Sequence, residues 1–483
     1  MKPGNRHIPS IFNDVVGPVM RGPSSSHSAA ALRIGKICRE LMLGAPGRVV
    51  VSYDSRDALA TTHESQGSDM GIKGGLLGFD ADDKRLLDPD PHLADAGIEI
   101  SFRLTDTGYN LPNLYLVQME HGELQMEVVA ISTGGGMMEV IRINGTELSI
   151  KGDSPVELWL TESGKPVLHG SPPAGSHKCI IPPLLPTSVK EPVELPFSSC
   201  TEMLQYNKQR ERPAWELAVA YESAIGGTDE NQVVQMMKEL YRVMRSSIDS
   251  GLQGTRFKDR IYGAQSVAYG KHQEAGDLAG GEVLHNITRY VSAIMEVKSS
   301  MGVIVAAPTA GSCGTFPGAV IGVADSLGLD EEKVVKALLA GSLTGLFIAT
   351  SSTFSAEIGG CQAECGSGAG MAAAAIAWML DGSVEQCMAA SSLALQNSLG
   401  MICDPIAARV EAPCLGKNIS SGLNALASAN MALAGYDHLI PLDEVIETMD
   451  RVGKSLPHEL RCTALGGLAT TPSARKIEKK LKR

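Results

Sequence analysis

A proline-rich stretch near the first third of this chain constrains its fold more than any other feature. Seven prolines fall between residues 172 and 196, at Pro172, Pro173, Pro182, Pro183, Pro186, Pro192 and Pro196. Proline fixes φ and donates no backbone hydrogen bond, so regular elements are interrupted there. The stretch predicts a semi-extended linker over residues 152–196. At 483 residues the chain is long enough for a folded domain on each side of it.

The two sides of the linker have different patterns. Residues 1–151 alternate one helical pattern with strand-like runs such as RVVVSYD, LYLVQME and GELQMEVVAIST, which predicts an N-terminal α/β sandwich-like domain. Over residues 197–483 the strand signal fades and helical spacing dominates. We therefore predict an α+β two-domain protein whose second domain is mostly α-helical and catalytic.

Several helices of the second domain can be outlined from the sequence. Apolar residues between Val233 and Ile248 recur mostly at helical spacing, with Thr228 as the expected N-cap. Ser383 and Gln386 have the spacing of a capping box. The uncharged run Ala337–Ala356 is long enough to cross a bilayer, but glycine and hydroxyl residues interrupt it. We expect a buried helix followed by an active-site loop.

Charge and composition exclude some classes of function. The formal net charge is −12, which disfavours a protein that binds nucleic acid or an anionic membrane, because phosphate contacts need a surplus of Lys and Arg. The N-terminal residues show no secretory signal pattern. We therefore expect a cytoplasmic protein, in which the ten cysteines stay reduced or bind metal.

Three cysteines of the second half, Cys361, Cys403 and Cys414, each lie in a turn-like context that contains Gly or Pro. Three thiolates from separate loops can hold an iron-sulfur cluster and leave one iron without a protein ligand. Their long spacings do not match the short pairs of ferredoxins or zinc ribbons. On these residues alone, ordinary buried thiols are an open alternative, because free cysteine is among the most buried residue types.

A set of motifs in chain order resembles one enzyme family, the iron-sulfur-dependent L-serine dehydratases, also called L-serine ammonia-lyases. The motifs are GPSSSHS (22–28), STGGGMMEV (132–140), APTAGSCG (307–314), GGCQAE (359–364), ALQNSLGMICDP (394–405), APCLGKN (412–418) and ELRCTALGGLA (459–469). The resemblance implies a β-type domain fused ahead of an α-type domain, and a 4Fe-4S cluster held by Cys361, Cys403 and Cys414. It also implies pyruvate and ammonia as products, and a homodimer.

The GPSSSHS segment supplies candidate substrate-binding and catalytic residues. Ser24, Ser25 and Ser26 provide three consecutive hydroxyls just before a predicted helix, where backbone amides also favour an anion. From these residues alone, a plain capping loop is the alternative. The resemblance implies that this loop reaches the cluster domain and binds the substrate carboxylate, with His27 as a proton carrier.

The chain departs from the family pattern at two positions that bear on substrate choice. Members usually read close to G-H-G-T-D where this chain has SQGSD, so Gln66 replaces a histidine. Many members read H-P-N-T where this chain has LPNL, so Leu111 replaces a second histidine and Asn113 is retained. Glutamine forms hydrogen bonds but carries no proton, and leucine does neither. We expect Gln66, Asn113 and Thr309, the last in APTAGSCG, to bind the substrate. His63 is either a partial substitute or a surface histidine.

Two other functions stay open on the sequence alone. One is elimination of sulfide from L-cysteine, or dehydration of a bulkier β-hydroxy amino acid, with the same cluster. The other is a non-catalytic iron-sulfur sensor. The general base and the roles of Cys313, Cys365 and Cys462 are unassigned, and the candidates for a cation that grips the substrate are Lys271, His272 and Lys417.

Overall fold

A computed structural model of the protein describes residues 8–168, 170–189, 193–258 and 260–481. The chain forms two compact units. One is Met20–Ser188, and the other joins the residues up to Val19 to those from Val189 onward. The first unit is rich in strands and the second is helical, which confirms the predicted α+β class.

The first unit is built on a six-stranded sheet whose order is β2-β1-β3-β4-β5-β6. Strands β1 and β2 are parallel, and all other neighbours are antiparallel. The strands are β1 (Arg48–Asp54), β2 (Glu99–Thr105), β3 (Leu114–His121), β4 (Leu124–Gly134), β5 (Met137–Ile143) and β6 (Thr146–Ile150).

A second, three-stranded sheet has the order β9-β7-β8, with β7 at Val156–Leu160, β8 at Pro166–Val167 and β9 at His177–Ile181. These strands lie inside the stretch predicted as a semi-extended linker. Apolar side chains alternate with polar ones in β7 and β9, and Leu158, Leu160 and Ile181 are buried against the main core. The sheet forms where the chain has short runs between prolines.

Two helices pack closely together in this unit, α1 (Ala30–Leu41) and α2 (Ser68–Leu76). Their contact depends on glycine: a Cβ at Gly75 would lie 2.1 Å from the carbonyl oxygen of Leu32, and one at Gly71 would lie 2.3 Å from that of Ser28. The close approach fixes the turns that precede both helices. Shorter helical segments are Leu59–Thr62, Lys84–Leu87 and Asp90–Asp95.

The second unit is a helical bundle. Its helices are α3 (Cys200–Asn207), α4 (Ala214–Gly226), α5 (Glu230–Leu252), α6 (Gln265–Ala275), α7 (Glu282–Ser299), α8 (Thr315–Ser326), α9 (Glu331–Ser351), α10 (Ser367–Met379), α11 (Val384–Gln396), α12 (Cys414–Leu433), α13 (Leu442–Ser455) and α14 (Pro472–Leu481). The predicted capping box of Ser383 and Gln386 is confirmed at the start of α11. Helix α5 is capped by Asp229 rather than by the predicted Thr228.

Helix α9 is long and apolar enough to cross a membrane by length and composition, but 78% of its most apolar window is buried inside the protein. It ends at Ser351, and a one-turn helix, Ala356–Gly359, follows. The expectation of a buried helix followed by a loop is confirmed.

The described N-terminal segment, residues 8–19, packs within the helical unit. Ser10 caps a π-helical turn at Ile11–Val15. The carboxylate of Glu222, only 1% exposed, accepts hydrogen bonds from the Ser10 hydroxyl at 2.5 Å and from the Ile11 amide at 2.7 Å. Gly345 gives this turn room, because a Cβ there would lie 2.1 Å from Val15.

Candidate active site

The three predicted cysteine ligands lie on three separate segments of the helical unit. Cys361 follows Gly360, whose φ of +70° ends the one-turn helix, and precedes a π-helical turn at Gln362–Gly366. Cys403 lies in the extended segment between α11 and α12. Cys414 is the first residue of α12. Cys361 thus lies at a glycine turn as predicted, whereas Cys403 lies in an extended bridge to Arg461 and Cys414 begins a helix.

The Cys361 and Cys403 thiols meet in one buried pocket, and Cys414 lies near enough to feel the charge of Cys361. The Cys361 and Cys403 sulfurs and a carboxylate oxygen of Glu364 all lie within 4.8 Å of one another. Cys414 is close enough that negative charge on Cys361 adds to burial in raising the pKa of its thiol. The three cysteines are between 1% and 4% exposed. A set of buried thiols from separate segments fits an iron-sulfur cluster, because thiolate is the ligand that such clusters take.

Two further thiols adjoin the predicted ligands. Cys365 shares a hydrogen bond with Cys361, and Cys462 shares one with Cys403. The backbone holds Cys462 in place, since its amide donates to the Cys403 carbonyl at 3.0 Å. Cys313 instead packs against the Met295 sulfur at 3.8 Å. All ten cysteines are free thiols.

Lys417 supplies positive charge beside the thiols. Its ammonium group lies 3.9 Å from the Cys361 sulfur and donates to the Asp404 carboxylate at 2.7 Å and the Ile402 carbonyl at 2.6 Å. Hydrogen bonds from the Cys365 and Cys403 thiols, helped by the Lys417 charge, hold the pKa of Cys361 well below its ordinary value. Lys417 therefore stabilises a thiolate.

Glu364 places a carboxylate at the edge of the thiol pocket. The Thr309 hydroxyl donates to its Oε1 at 2.6 Å. Gly311 leaves the space for it, because a Cβ at that position would lie 2.5 Å from Oε1. Burial, and then the negative charge of Cys361, raises the pKa of Glu364 to about 8. Thr309, predicted to bind substrate, thus contacts a side chain of the thiol pocket.

Asn418 joins the segments that form the pocket. Its Nδ2 donates to the carbonyls of Gly311 and Cys414, both at 2.9 Å, and approaches the Cys365 sulfur at 3.5 Å. Its Oδ1 accepts from the amide and hydroxyl of Thr315 at 3.1 and 2.9 Å. The side chain is fully buried, so each of these bonds is made without competition from solvent.

The residues just before Cys414 are anchored by two cations. The Arg260 guanidinium donates to the Glu411 carboxylate at 2.6 Å, and both side chains are less than a tenth exposed. Glu411 also accepts from the amides of Ile261 and Tyr262. The ammonium group of Lys298 donates to the Val410 carbonyl. These contacts fix the approach to α12.

The predicted serine loop lies in the sheet unit and converges on His27. The hydroxyls of Ser24 and Ser26 lie 3.0 and 3.3 Å from its Nδ1, and Nε2 lies 2.9 Å from the Thr62 hydroxyl. Thr62 donates its one hydroxyl proton to the Ala58 carbonyl. The network thus assigns the imidazole proton to Nε2 and leaves Nδ1 as the acceptor that faces the serines. His27 and Ser25 are each 1% exposed.

The other predicted substrate-binding residues of the sheet unit are also buried. Gln66 is fully buried, and its backbone carbonyl accepts from the Ser28 hydroxyl at 3.1 Å. Asn113 is 2% exposed and has a φ of +53°. Its side-chain oxygen and the hydroxyl of nearby Ser132 are buried, with no hydrogen-bond partner among the described residues. Unpartnered buried polar atoms are expected where a ligand binds.

Some residues differ from their predicted surroundings. His63 is neither isolated nor fully exposed: its Nδ1 lies 2.9 Å from both Asp69 oxygens, and the Tyr53 hydroxyl donates to the same carboxylate at 2.8 Å. Lys271 and His272 are exposed on α6, outside the thiol pocket. The sequence showed no signal for Glu364, Asn418 or Asp404 except that each lies inside a motif already singled out for its cysteine.

Comparison with known proteins identifies the family. Residues 198–469 match the family model described as serine dehydratase alpha chain. The chain is 35% identical over 285 residues to a protein of Bacillus subtilis named probable L-serine dehydratase, alpha chain, covering 59% of this chain and 95% of that one. It is 36% identical to the L-serine dehydratase alpha chain of Peptoniphilus asaccharolyticus, over 59% of this chain and 97% of the relative.

A third relative is of the other chain type. The probable L-serine dehydratase beta chain of Bacillus subtilis is 40% identical over 149 residues, which are 31% of this chain and 66% of that protein. One polypeptide thus carries sequence similar to both chain types. With a family model that covers the helical unit and its cysteine loops, the chain belongs to the serine dehydratase alpha chain family, in a form that also contains a beta-type region.

Proposed function

We propose that this protein is a lyase that converts L-serine, or a similar β-hydroxy amino acid, to a 2-oxo acid and ammonia. The observation that carries the proposal is the convergence of buried thiols in a chain whose relatives are named L-serine dehydratases. Loss of the α-proton and the β-hydroxyl of serine gives an enamine, which tautomerises and hydrolyses to pyruvate and ammonia.

We propose that Cys361, Cys403 and Cys414 hold a 4Fe-4S cluster. Their shared burial and their positions on three separate segments support this ligand set. When bound, the cluster would supply an iron without a cysteine ligand, which can act as a Lewis acid toward the β-hydroxyl of the substrate. Lys417 stabilises the negative charge of Cys361, and Asn418 fixes the first turn of α12, on which Cys414 lies.

In the sheet unit, the proposed substrate-binding residues are Ser24, Ser25, Ser26, Gln66 and Asn113. The hydroxyls suit a carboxylate, which must be gripped to stabilise the charge that builds as the α-proton leaves. The unpartnered Asn113 oxygen suits a donor such as the substrate ammonium.

Proton transfer is the role proposed for His27. Its Nδ1 accepts hydrogen bonds and its tautomer is fixed through Thr62. An imidazole held in one tautomer can accept a proton at a defined atom.

A substrate panel tests the activity. Protein purified and reconstituted without oxygen is given L-serine, L-threonine and L-cysteine, and the release of ammonia and sulfide is measured. Ammonia release from serine supports the proposal. Release of sulfide from cysteine with no turnover of serine would favour a desulfidase, an alternative kept open by Gln66 in place of a histidine. No turnover of any amino acid would favour an iron-sulfur sensor.

Two matched substitutions test the ligand set. Cys403→Ser removes a proposed ligand and should lower the iron content and abolish turnover. Cys387→Ser removes another buried thiol, which lies on α11. Burial raises the pKa of this thiol to about 12. It should leave both properties unchanged. Equal iron content in the two variants would contradict the ligand assignment.

The ten free thiols support a reducing cytoplasm as the location. We propose a homodimer, and light scattering of the reconstituted protein checks it.

A further inference from the structure

The geometry points to Glu364 as an oxygen ligand of the iron that has no cysteine, a ligand that the substrate displaces when it binds. The inference rests on the proposed cluster and adds a fourth, exchangeable protein ligand to it. It concerns only residues of the helical unit.

The position of the carboxylate carries the inference. One Glu364 oxygen lies within 4.8 Å of both the Cys361 and the Cys403 sulfur, and these two sulfurs lie within the same distance of each other. Glu364 is therefore placed against two proposed ligands at once. Non-cysteine ligands are known on iron-sulfur clusters, and a carboxylate oxygen is a common ligand of protein-bound iron.

The surroundings hold the carboxylate in this place. The Thr309 hydroxyl donates to Oε1 at 2.6 Å. Gly311 leaves space for the carboxylate, since the Cβ of any other residue at this position would lie 2.5 Å from Oε1. A carboxylate at a sparsely solvated site is stable in its charged form only beside a cation or a metal. Thr309 thus orients the carboxylate, and a bound iron would supply the positive charge that its ionised form needs.

The closest rival ligand is Cys462. Its thiol shares a hydrogen bond with Cys403, and its amide donates to the Cys403 carbonyl at 3.0 Å. Cys462 also shares one buried cluster of side chains with Cys361 and Cys403, so it is a second candidate that the test must separate from Glu364. Each cysteine of a 4Fe-4S cluster binds a different iron, so the residue that closes the fourth iron must approach more than one of the others.

The test counts iron in four proteins reconstituted without oxygen: the unaltered protein, Glu364→Gln, Cys462→Ala and the control Glu385→Gln, which alters an exposed carboxylate on α11. Iron per chain is measured before and after brief mild oxidation, together with the electron paramagnetic resonance spectrum. Glu364→Gln keeps the three cysteines and should fall from about four irons to about three per chain, with the spectrum of a 3Fe-4S cluster. The other three proteins should keep the fourth iron.

Several results would overturn the inference. A full set of irons in Glu364→Gln after oxidation, or none at all, would assign Glu364 to building the pocket. Loss of the fourth iron in Cys462→Ala alone would assign the ligand to Cys462. If the unaltered protein takes up no cluster, the proposed function itself fails, so the two failures are distinguishable.

Thr309→Val, which removes the bond to Oε1, should loosen the fourth iron partly while the carboxylate stays.

Discussion

Replacing Lys417 by methionine should destabilise the helical unit and weaken cluster retention together. The substitution keeps most of the side-chain volume but removes the ammonium group that contacts Asp404, Ile402 and Cys361. Asp404 is 3% exposed, so its carboxylate would be left buried without its cation. Removing one partner of a buried ion pair costs about 3–5 kcal/mol.

The side chain of Lys417 is 18% exposed, which places the expected loss toward the lower end. We expect a fall of about 3 kcal/mol in the free energy of unfolding. For a domain of this size, that corresponds to a fall of about 6–12 °C in melting temperature. The assay follows the helical circular dichroism signal of the cluster-free protein during thermal unfolding, so that the cluster does not contribute.

Lys336→Met is the matched control. Lys336 pairs with Glu332 at 2.6 Å, but on the surface, with side-chain exposures of 27% and 75%. Lys336 also lies over the Trp215 ring, 4.8 Å from its centroid, so its loss should change the free energy of unfolding by about 1 kcal/mol. Adding Asp404→Asn to Lys417→Met should recover part of the lost stability, because the uncompensated charge disappears. Equal losses in Lys417→Met and the control would refute the reasoning.

Three further predictions concern single side chains. Asn418→Ala should lower the free energy of unfolding by about 2 kcal/mol, since the Gly311 carbonyl and the Thr315 amide lose their side-chain partner, and denaturant unfolding checks this. His27→Asn should lower kcat/KM for L-serine about 100-fold or more if the imidazole carries a proton, and an unchanged value would contradict that role. In the native cluster-free protein, Glu364 stays protonated up to about pH 8, whereas in the unfolded chain it loses its proton near pH 4.5. Stability should therefore fall as pH rises through that window, and the fall should be weaker in Glu364→Gln.

Much of the local structure could be predicted because it depends on neighbouring residues. The glycine turn at Cys361 and the capping box at Ser383 follow from glycine and cap preferences over a few positions, whereas the turns predicted at Cys403 and Cys414 are an extended bridge and a helix start. Errors at this level were small: Asp229, not the adjacent Thr228, caps α5, and both are capping residue types.

The partners of the site could not be predicted because they are distant in sequence. Thr309 and Glu364 are 55 residues apart, and the anchor between Ser10 and Glu222 spans 212. Spacing along the chain says nothing about which loops of a bundle will meet. The small sheet at residues 156–181 was also missed, because prolines around it masked two short runs of alternating residues.

The most direct test of the account is a count of iron and acid-labile sulfide in protein reconstituted without oxygen, made alongside ammonia release from L-serine. We expect about four of each per chain, with activity that rises and falls with cluster content. A colourless protein that contains pyridoxal phosphate and no iron, and that turns over serine at full rate, would contradict the central claim.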